Sequence, residues 1–226
     1  MSVVGESRGD VLRLLILGNS GAGRECFDVL RELLPLRPDL HFEGFLSFEG
    51  FPGSLGALGH LQKGTDDECV FSPDTAVILA LGDNELRRRA LVKLRSRGAR
   101  LFNLIAANVH LAEDVKLGEG NVLARGCHLA PGVRMGDANY LNGSVCLGHE
   151  ASLGSCNFLG PFSAVLGAAS LGDANSLGTH AVVLERARVG RGNSIAPGSY
   201  VYKGCGDNCY YAGNPALNLG EKFLFR

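Results

Sequence analysis

From position 111 onward an aliphatic residue returns at every sixth position: Leu111, Leu117, Leu123, Leu129, Met135, Leu141, Leu147, Leu153, Leu159, Val165, Leu171, Leu177, Val183, Val189, Ile195 and Val201. A period of six fits neither an α-helix nor a two-faced strand. It fits short strands joined by sharp corners, each strand sending one aliphatic side chain inward. A second period lies inside the first. Gly-x-x-Asn occurs at Gly118/Asn121, Gly136/Asn139, Gly154/Asn157, Gly172/Asn175 and Gly190/Asn193, always 18 residues apart. Three hexads therefore make one coil of triangular cross-section, and coils stack at about the ordinary 4.8 Å strand spacing. The five asparagines are predicted to form a ladder in which each side-chain amide bonds the next. The five glycines are predicted at a corner that needs positive φ or a close backbone approach. Residues 109–203 are thus expected to be a β-helix of hexapeptide repeats.

The first hundred residues follow another rule. Apolar segments at Arg13–Leu17, Phe42–Leu46 and Ala76–Leu81 read as strands, with Leu101–Leu104 as a fourth. Helical stretches follow at about Arg24–Leu34, ended by Pro35 and Pro38, and at Glu85–Arg97. Strand–helix alternation predicts a small parallel α/β domain. Residues 50–72 are rich in glycine and polar residues and read as loop.

Composition narrows the class. The 226 residues carry a net charge of -1, which gives no electrostatic reason to expect nucleic acid or an anionic membrane. No apolar run is long enough to span a bilayer, and the first residues lack a secretory pattern. A cytoplasmic protein is the expectation. The seven cysteines are irregularly spaced and read as reduced structural thiols, with no metal site expected.

Three places could carry chemistry. Gly18-Asn19-Ser20-Gly21-Ala22-Gly23 lies between the first strand and a helix, where backbone N–H groups can hold phosphate; a tight structural turn is the competing reading. Gly82-Asp83-Asn84 follows the third apolar strand at the edge where open α/β sheets bind ligands. Asp83 could equally cap the following helix, and Arg87, Arg88 and Arg89 read as a solvated helix face, with Arg87 the one to test against phosphate. In the repeat, His149 falls at a corner and Gly167 stands one coil later in the same column. A neutral imidazole beside a bare backbone can take a proton from an attacking amine or hydroxyl while the glycine N–H meets an oxyanion. Spacing alone favours a surface corner histidine.

The layout resembles the sialic acid O-acetyltransferase and UDP-4-amino-sugar N-acetyltransferase family of hexapeptide-repeat acyltransferases. The resemblance covers nearly the whole chain. It is carried by Gly18–Gly23, Gly82-Asp83-Asn84-Glu85-Leu86-Arg87, Gly148-His149-Glu150 and Ala212-Gly213-Asn214-Pro215-Ala216. It implies an α/β N-terminal domain with a small Rossmann-like parallel sheet, residues 1–106, that holds a nucleotide sugar. A left-handed parallel β-helix with a C-terminal tail, residues 107–226, would hold acetyl-CoA. It also implies a homotrimer with active sites between subunits.

Carried over by residue, His149 matches the catalytic base, Glu150 its acidic neighbour, and Gly167 the glycine that meets the thioester carbonyl. Phe158, Ala212, Gly213, Asn214 and Pro215 match coenzyme positions. Gly18, Gly21, Gly23, Gly82, Asp83, Asn84 and Arg87 match nucleotide-sugar loop positions. Three departures stand out. Ala22 replaces a histidine of the glycine loop, Phe158 replaces a histidine after Asn157, and Ser47 and Phe48, followed by Glu49, replace paired aspartates. The resemblance implies N-acetylation of a UDP- or GDP-linked amino sugar in surface-glycan synthesis. O-acetylation of a sugar such as sialic acid, and a trimeric scaffold without catalysis, are the alternatives.

Overall fold

The computed structural model describes residues 11–50 and 53–221. Five parallel strands make the N-terminal sheet: β1 (Leu12–Leu17), β2 (Leu40–Ser47), β3 (Gln62–Thr65), β4 (Thr75–Leu79) and β5 (Arg100–Leu101), in the spatial order β3-β2-β1-β4-β5. Helix α1 (Gly21–Leu33) packs on one face through Cys26, Val29 and Leu30 against Leu14, Ile16 and Ile78. Helix α2 (Asn84–Ser96) packs on the other through Ala90, Leu91 and Leu94 against Leu15, Leu17, Val77 and Leu79. Both sheet faces are covered, so strands β1 and β4 read as continuous apolar runs rather than alternating ones.

Two expectations are corrected here. Leu101–Leu104 is not one strand: Arg100–Leu101 closes the first sheet, whereas Leu104–Ile105 pairs with Val122–Leu123 and opens the β-helix. Residues 50–72 are not all loop either. They include a 3-10 turn, Gly56–Leu61, and the edge strand β3. Four residues are short for an alternation pattern, and three of them, Gln62, Lys63 and Thr65, are polar while the fourth is glycine, so β3 left no periodic trace.

From Leu104 the chain winds through two-residue strands that stack into three parallel faces. One runs from His110–Leu111 to Tyr200–Val201, the second from Lys116–Leu117 to Gly204–Cys205, and the third from Leu104–Ile105 to Ser194–Ile195. The third face ends in an antiparallel hairpin of Cys209–Gly213 and Ala216–Glu221. Register is 18, as in Leu129 beside Leu147 and Leu147 beside Val165, until the last coil, where Val189 pairs with Cys205 and Ile195 with Tyr211, 16 residues on. The inward column is buried from Leu123 to Val201; Leu111, in the uncapped first coil, is 37 % exposed.

The asparagine ladder forms as predicted. Asn121, Asn139, Asn157, Asn175 and Asn193 are fully buried, and the Oδ1 of each of the first four accepts the backbone N–H of the asparagine one coil on, at 2.8–2.9 Å. The ladder is longer than the motif. Asn103 Oδ1 accepts the Asn121 N–H one coil on, and Asn193 Oδ1 accepts the Cys209 N–H in the same sense. The corner glycines satisfy close approach rather than positive φ: a β-carbon on Gly136 would lie 3.0 Å from the Gly154 backbone. The positive φ falls two residues later, at Gly120, Ala138, Cys156, Ala174 and Gly192.

The two parts are bolted together on the third face and the asparagine corner. Tyr140, Val122 and Phe158 join the apolar cluster under α1. Tyr140 OH lies 3.8 Å from Cys26 Sγ and donates to Glu25 Oε2 at 3.3 Å. Arg125 forms a two-pronged ion pair with Glu32 of α1, and Arg95 of α2 bridges Glu119 and Asp137. No helix among the described residues is long and apolar enough to cross a membrane.

Candidate active site

His149 sits at the corner that links the first and second faces of the β-helix. Glu150, beside it, takes a left-handed conformation (φ 59°), which turns the chain. The His149 carbonyl accepts the Ala168 N–H and the Pro131 carbonyl accepts the Glu150 N–H, both at 2.8 Å, so the corner is pinned to the coils above and below. The imidazole itself is free to work: its side chain is 65 % exposed. Its Nδ1 is 3.6 Å from Glu150 Oε2, close enough for the carboxylate to attract the protonated ring but beyond a direct hydrogen bond.

Gly167 lies directly under this ring. A β-carbon at Gly167 would be 2.6 Å from His149 Nε2 and 2.8 Å from Cε1. A β-carbon at Gly148 would be 2.6 Å from the Gly167 nitrogen. Two glycines in adjacent coils therefore bring bare backbone against backbone and leave the imidazole lying over it. The Gly167 N–H donates to no other group among the described residues. A proton acceptor on the surface thus lies against the buried backbone of Gly167, whose N–H is unused.

The loop Gly18–Gly23 joins β1 to α1 and meets the end of β4, at the point where the strand order reverses. Gly18 has φ +134°, and a β-carbon there would lie 2.9 Å from the Ala80 carbonyl carbon; one at Gly23 would lie 2.9 Å from the Gly18 carbonyl carbon. Those two glycines let the loop close on itself. A β-carbon added at Gly21 or Gly82 would meet nothing within 4 Å, so that side of each glycine is open. The N-cap Ser20 makes no side-chain capping bond.

The residues after β4 are engaged elsewhere. Asp83 accepts from the N–H groups of Glu85 and Leu86 at 2.9 Å and caps α2. Asn84 donates to the Asn175 carbonyl and to Ser176 Oγ, both at 2.9 Å, across the domain junction. Arg87 corrects the expectation of a solvated helix face: it is 0 % exposed. Its guanidinium donates to the carbonyls of Ala138, Leu81, Gly82, Cys156 and Asn157 and to Asn84 Oδ1, and so has no donor to spare for phosphate. Burial lowers its pKa to about 10, still far above neutrality, so the buried group is a cation. Arg88 and Arg89 are on the surface, paired with Glu85 and Glu49.

Phe158 and Ala22 also pack inward. Both touch the cluster under α1, and Phe158 stacks on Tyr140 with centroids 5.6 Å apart. Ala212–Ala216 forms the turn of the C-terminal hairpin. Gly213 N–H donates to Ser199 Oγ at 3.0 Å, Asn214 Oδ1 accepts from Tyr202 OH at 3.1 Å, and the Asn214–Pro215 peptide is cis. A depression that the sequence did not announce opens at the carboxyl ends of β1, β2 and β3, among Asn19, Ser47, Leu55, Gln62 and Thr65. Its signal was hidden because β3 supplies Gln62 and Thr65 and leaves no pattern. Among the described residues no cluster of His, Cys, Asp and Glu has the makings of a metal site.

No protein-family model and no curated protein matches the chain. Solved structures do. A variant of perosamine N-acetyltransferase from Caulobacter crescentus, in complex with CoA and GDP-perosamine, superposes with a TM-score of 0.80 at 24 % identity over 96 % of this chain and 100 % of that one. The acetyltransferase domain of PglB from Neisseria gonorrhoeae, in complex with acetyl coenzyme A, gives 0.82 at 21 % identity over 92 % and 100 %. WeeI from Acinetobacter baumannii gives 0.68 at 21 % over 91 % and 99 %. The match runs through both parts of the chain. The chain has the fold these proteins share: a small parallel α/β sheet followed by a left-handed parallel β-helix.

Proposed function

We propose that the chain is an acetyl-CoA-dependent N-acetyltransferase acting on a nucleotide-linked amino sugar, with His149 as the general base. The observation that carries this is the His149 imidazole lying over the unoccupied N–H of Gly167. Acetyl-CoA would supply an acyl group already activated as a thioester, so the protein needs no nucleophile of its own. Bare backbone at Gly167 lets the imidazole lie against it, and the Gly167 N–H carries no other bond. His149 accepts the proton of the attacking amine, and the Gly167 N–H stabilises the oxyanion that forms as nitrogen adds to the carbonyl. The protonated ring, with the Glu150 carboxylate 3.6 Å from its Nδ1, then returns the proton as the thiolate departs.

The nucleotide sugar would sit on the N-terminal domain, over the open backbones of Gly21 and Gly82. Asp83, Asn84 and Arg87 hold that edge in place instead of touching the ligand. Two solved relatives in fold carry CoA or acetyl-CoA, and one carries GDP-perosamine as well, which favours this chemistry over a scaffold role. We further infer a homotrimer, in which a neighbouring subunit would cover the exposed His149, and a place in surface-glycan synthesis. The test is release of free CoA from acetyl-CoA with a panel of UDP- and GDP-linked amino sugars, with sedimentation to count subunits. Turnover lost in His149→Ala supports the assignment. Unchanged turnover in that variant overturns the base, and no turnover with no acetyl-CoA binding overturns the enzyme.

A further inference from the structure

We propose that Asn142 and Gly143 form a self-modifying site, at which the Gly143 backbone nitrogen attacks the Asn142 side-chain carbon and displaces ammonia. The succinimide so formed is opened by water to aspartate or isoaspartate. The reaction is independent of the acetyl transfer proposed above. Asn142 is the one asparagine in the chain followed by glycine. The pair sits at the corner between the third face, at Tyr140–Leu141, and the first, at Cys146–Leu147. There the Gly143 N–H donates to Asn142 Oδ1 at 2.8 Å, so the carbon to be attacked lies one bond from an atom the nucleophile already touches. Holding reacting atoms about 3–3.5 Å apart is what makes such an intramolecular step fast.

The surroundings leave both groups free to react. The Gly143 N–H donates to no backbone carbonyl among the described residues, and both residues are half-buried, within reach of water. The main chain of Asn142 is held, its N–H by the Leu159 carbonyl at 2.9 Å and its carbonyl by Cys127 Sγ at 3.2 Å. The ladder asparagines are in the opposite state. Asn139, Asn157 and Asn175 are fully buried, and their carboxamides are bonded to the coils on either side. Asn214 precedes a proline, whose nitrogen has no proton to lose. The chemistry balances without an oxidant or reductant. One C–N bond forms as another breaks, ammonia leaves with the Gly143 proton, and one water adds across an imide carbonyl. Opening at the backbone carbonyl puts the side-chain carbon of residue 142 into the main chain. Leu141 and Leu147 are both fully buried and locked in the 18-residue register, so the lengthened coil is expected to melt lower.

Incubation of the full chain at mildly alkaline pH, followed by intact mass, ammonia assay and peptide mapping, tests this. The expected result is a gain of about one mass unit, one equivalent of ammonia, and aspartate or isoaspartate at position 142. Gly143→Ala suits the fold, because Gly143 does not take a positive φ and an added β-carbon meets only the Arg125 carbonyl oxygen, at 3.7 Å. Its methyl crowds the attacking nitrogen, and the gain should slow at least about tenfold. Asn142→Gln lengthens the side chain by one carbon, misplaces the carbon under attack and should stop the reaction. No gain in the folded chain, whether or not the urea-unfolded chain reacts, overturns the proposal. An equal rate in Gly143→Ala, shown folded by its melting curve, overturns Gly143 as the nucleophile and leaves direct hydrolysis. Should the variants not fold, the folded and unfolded wild-type chains decide the matter alone. Acetyl-CoA turnover is not read in any arm, so failure here leaves the enzyme reading standing.

Discussion

Arg87 Nε donates to the Ala138 carbonyl at 2.7 Å, so a side chain from the second helix of the N-terminal domain ends inside a turn of the β-helix. No carboxylate accompanies it. The charge is held by five carbonyls and one amide oxygen drawn from both parts of the chain. Removing the guanidinium would strip the Ala138 and Cys156 carbonyls and Asn84 Oδ1 of this buried donor, while the Asn157 carbonyl would keep the Tyr140 N–H. Arg87→Ala is expected to cost about 3–5 kcal/mol, the range for breaking a buried charged network. Arg125 also spans the junction, but on the surface, where Arg125→Ala is expected to cost less than about 1 kcal/mol. Urea unfolding of the two variants side by side checks the contrast; equal losses would refute it.

Gly167→Ala probes the proposed centre without touching the core. Gly167 has ordinary backbone angles, so alanine fits the fold, but its methyl would meet the imidazole at 2.6 Å. Displacing the base is expected to lower kcat about a hundredfold or more, the scale of one general base. The melting temperature should stay near that of the wild type. A variant with intact kcat would show that the ring need not lie over this glycine.

The ladder predicts a graded response. Asn157→Ala would strip the Asn175 N–H of its acceptor and remove the Nδ2 that bonds Asn139 Oδ1. Each orphaned buried group costs about 1–3 kcal/mol. Equilibrium denaturation measures the sum, and a loss well under 1 kcal/mol would mean the ladder is incidental.

Alkaline pH should loosen the domain junction. Burial pushes the Cys26 thiol up to about 12, from an ordinary value of 9.0, and Tyr140 beside it is raised as well. Both are acids that the folded state keeps neutral. The unfolded chain would ionise Cys26 from about pH 9, so its share of stability is full below that pH and falls as pH rises toward 12. At pH 10.5 the loss from Cys26 alone is roughly 2 kcal/mol. Urea melts at pH 8 and pH 10.5 should show the drop, and Cys26→Ala should flatten it.

The sequence exposed the β-helix because a repeat writes the same instruction many times. Leu147 and Gly154 each recur in every coil, so noise at one position is outvoted. It also placed His149 one coil from Gly167, since the 18-residue register converts spacing into distance. The domain junction was illegible for the opposite reason: Arg87, Asn84 and Tyr140 each occur once and find partners 51 to 115 residues away. A trace existed even so. Arg87 shares a helical stripe with Ala90, Leu91 and Leu94, the buried side of α2, whereas Arg88 and Arg89 do not. Read by face rather than as a run of three charges, it stands out from its neighbours.

The stacked coils also have a direction in time. Each coil bonds only the one before and the one after it, so the β-helix behaves as a one-dimensional array that can open from an end. The N-terminal domain grips the coils that carry Ala138, Tyr140, Cys156 and Asn175, while those beyond Val189 have only their neighbours. Amide exchange should therefore spread backwards from the last coils, and the bonded Glu150 and Ala168 amides at the His149 corner, close to the clamped section, should be among the last to lose protection.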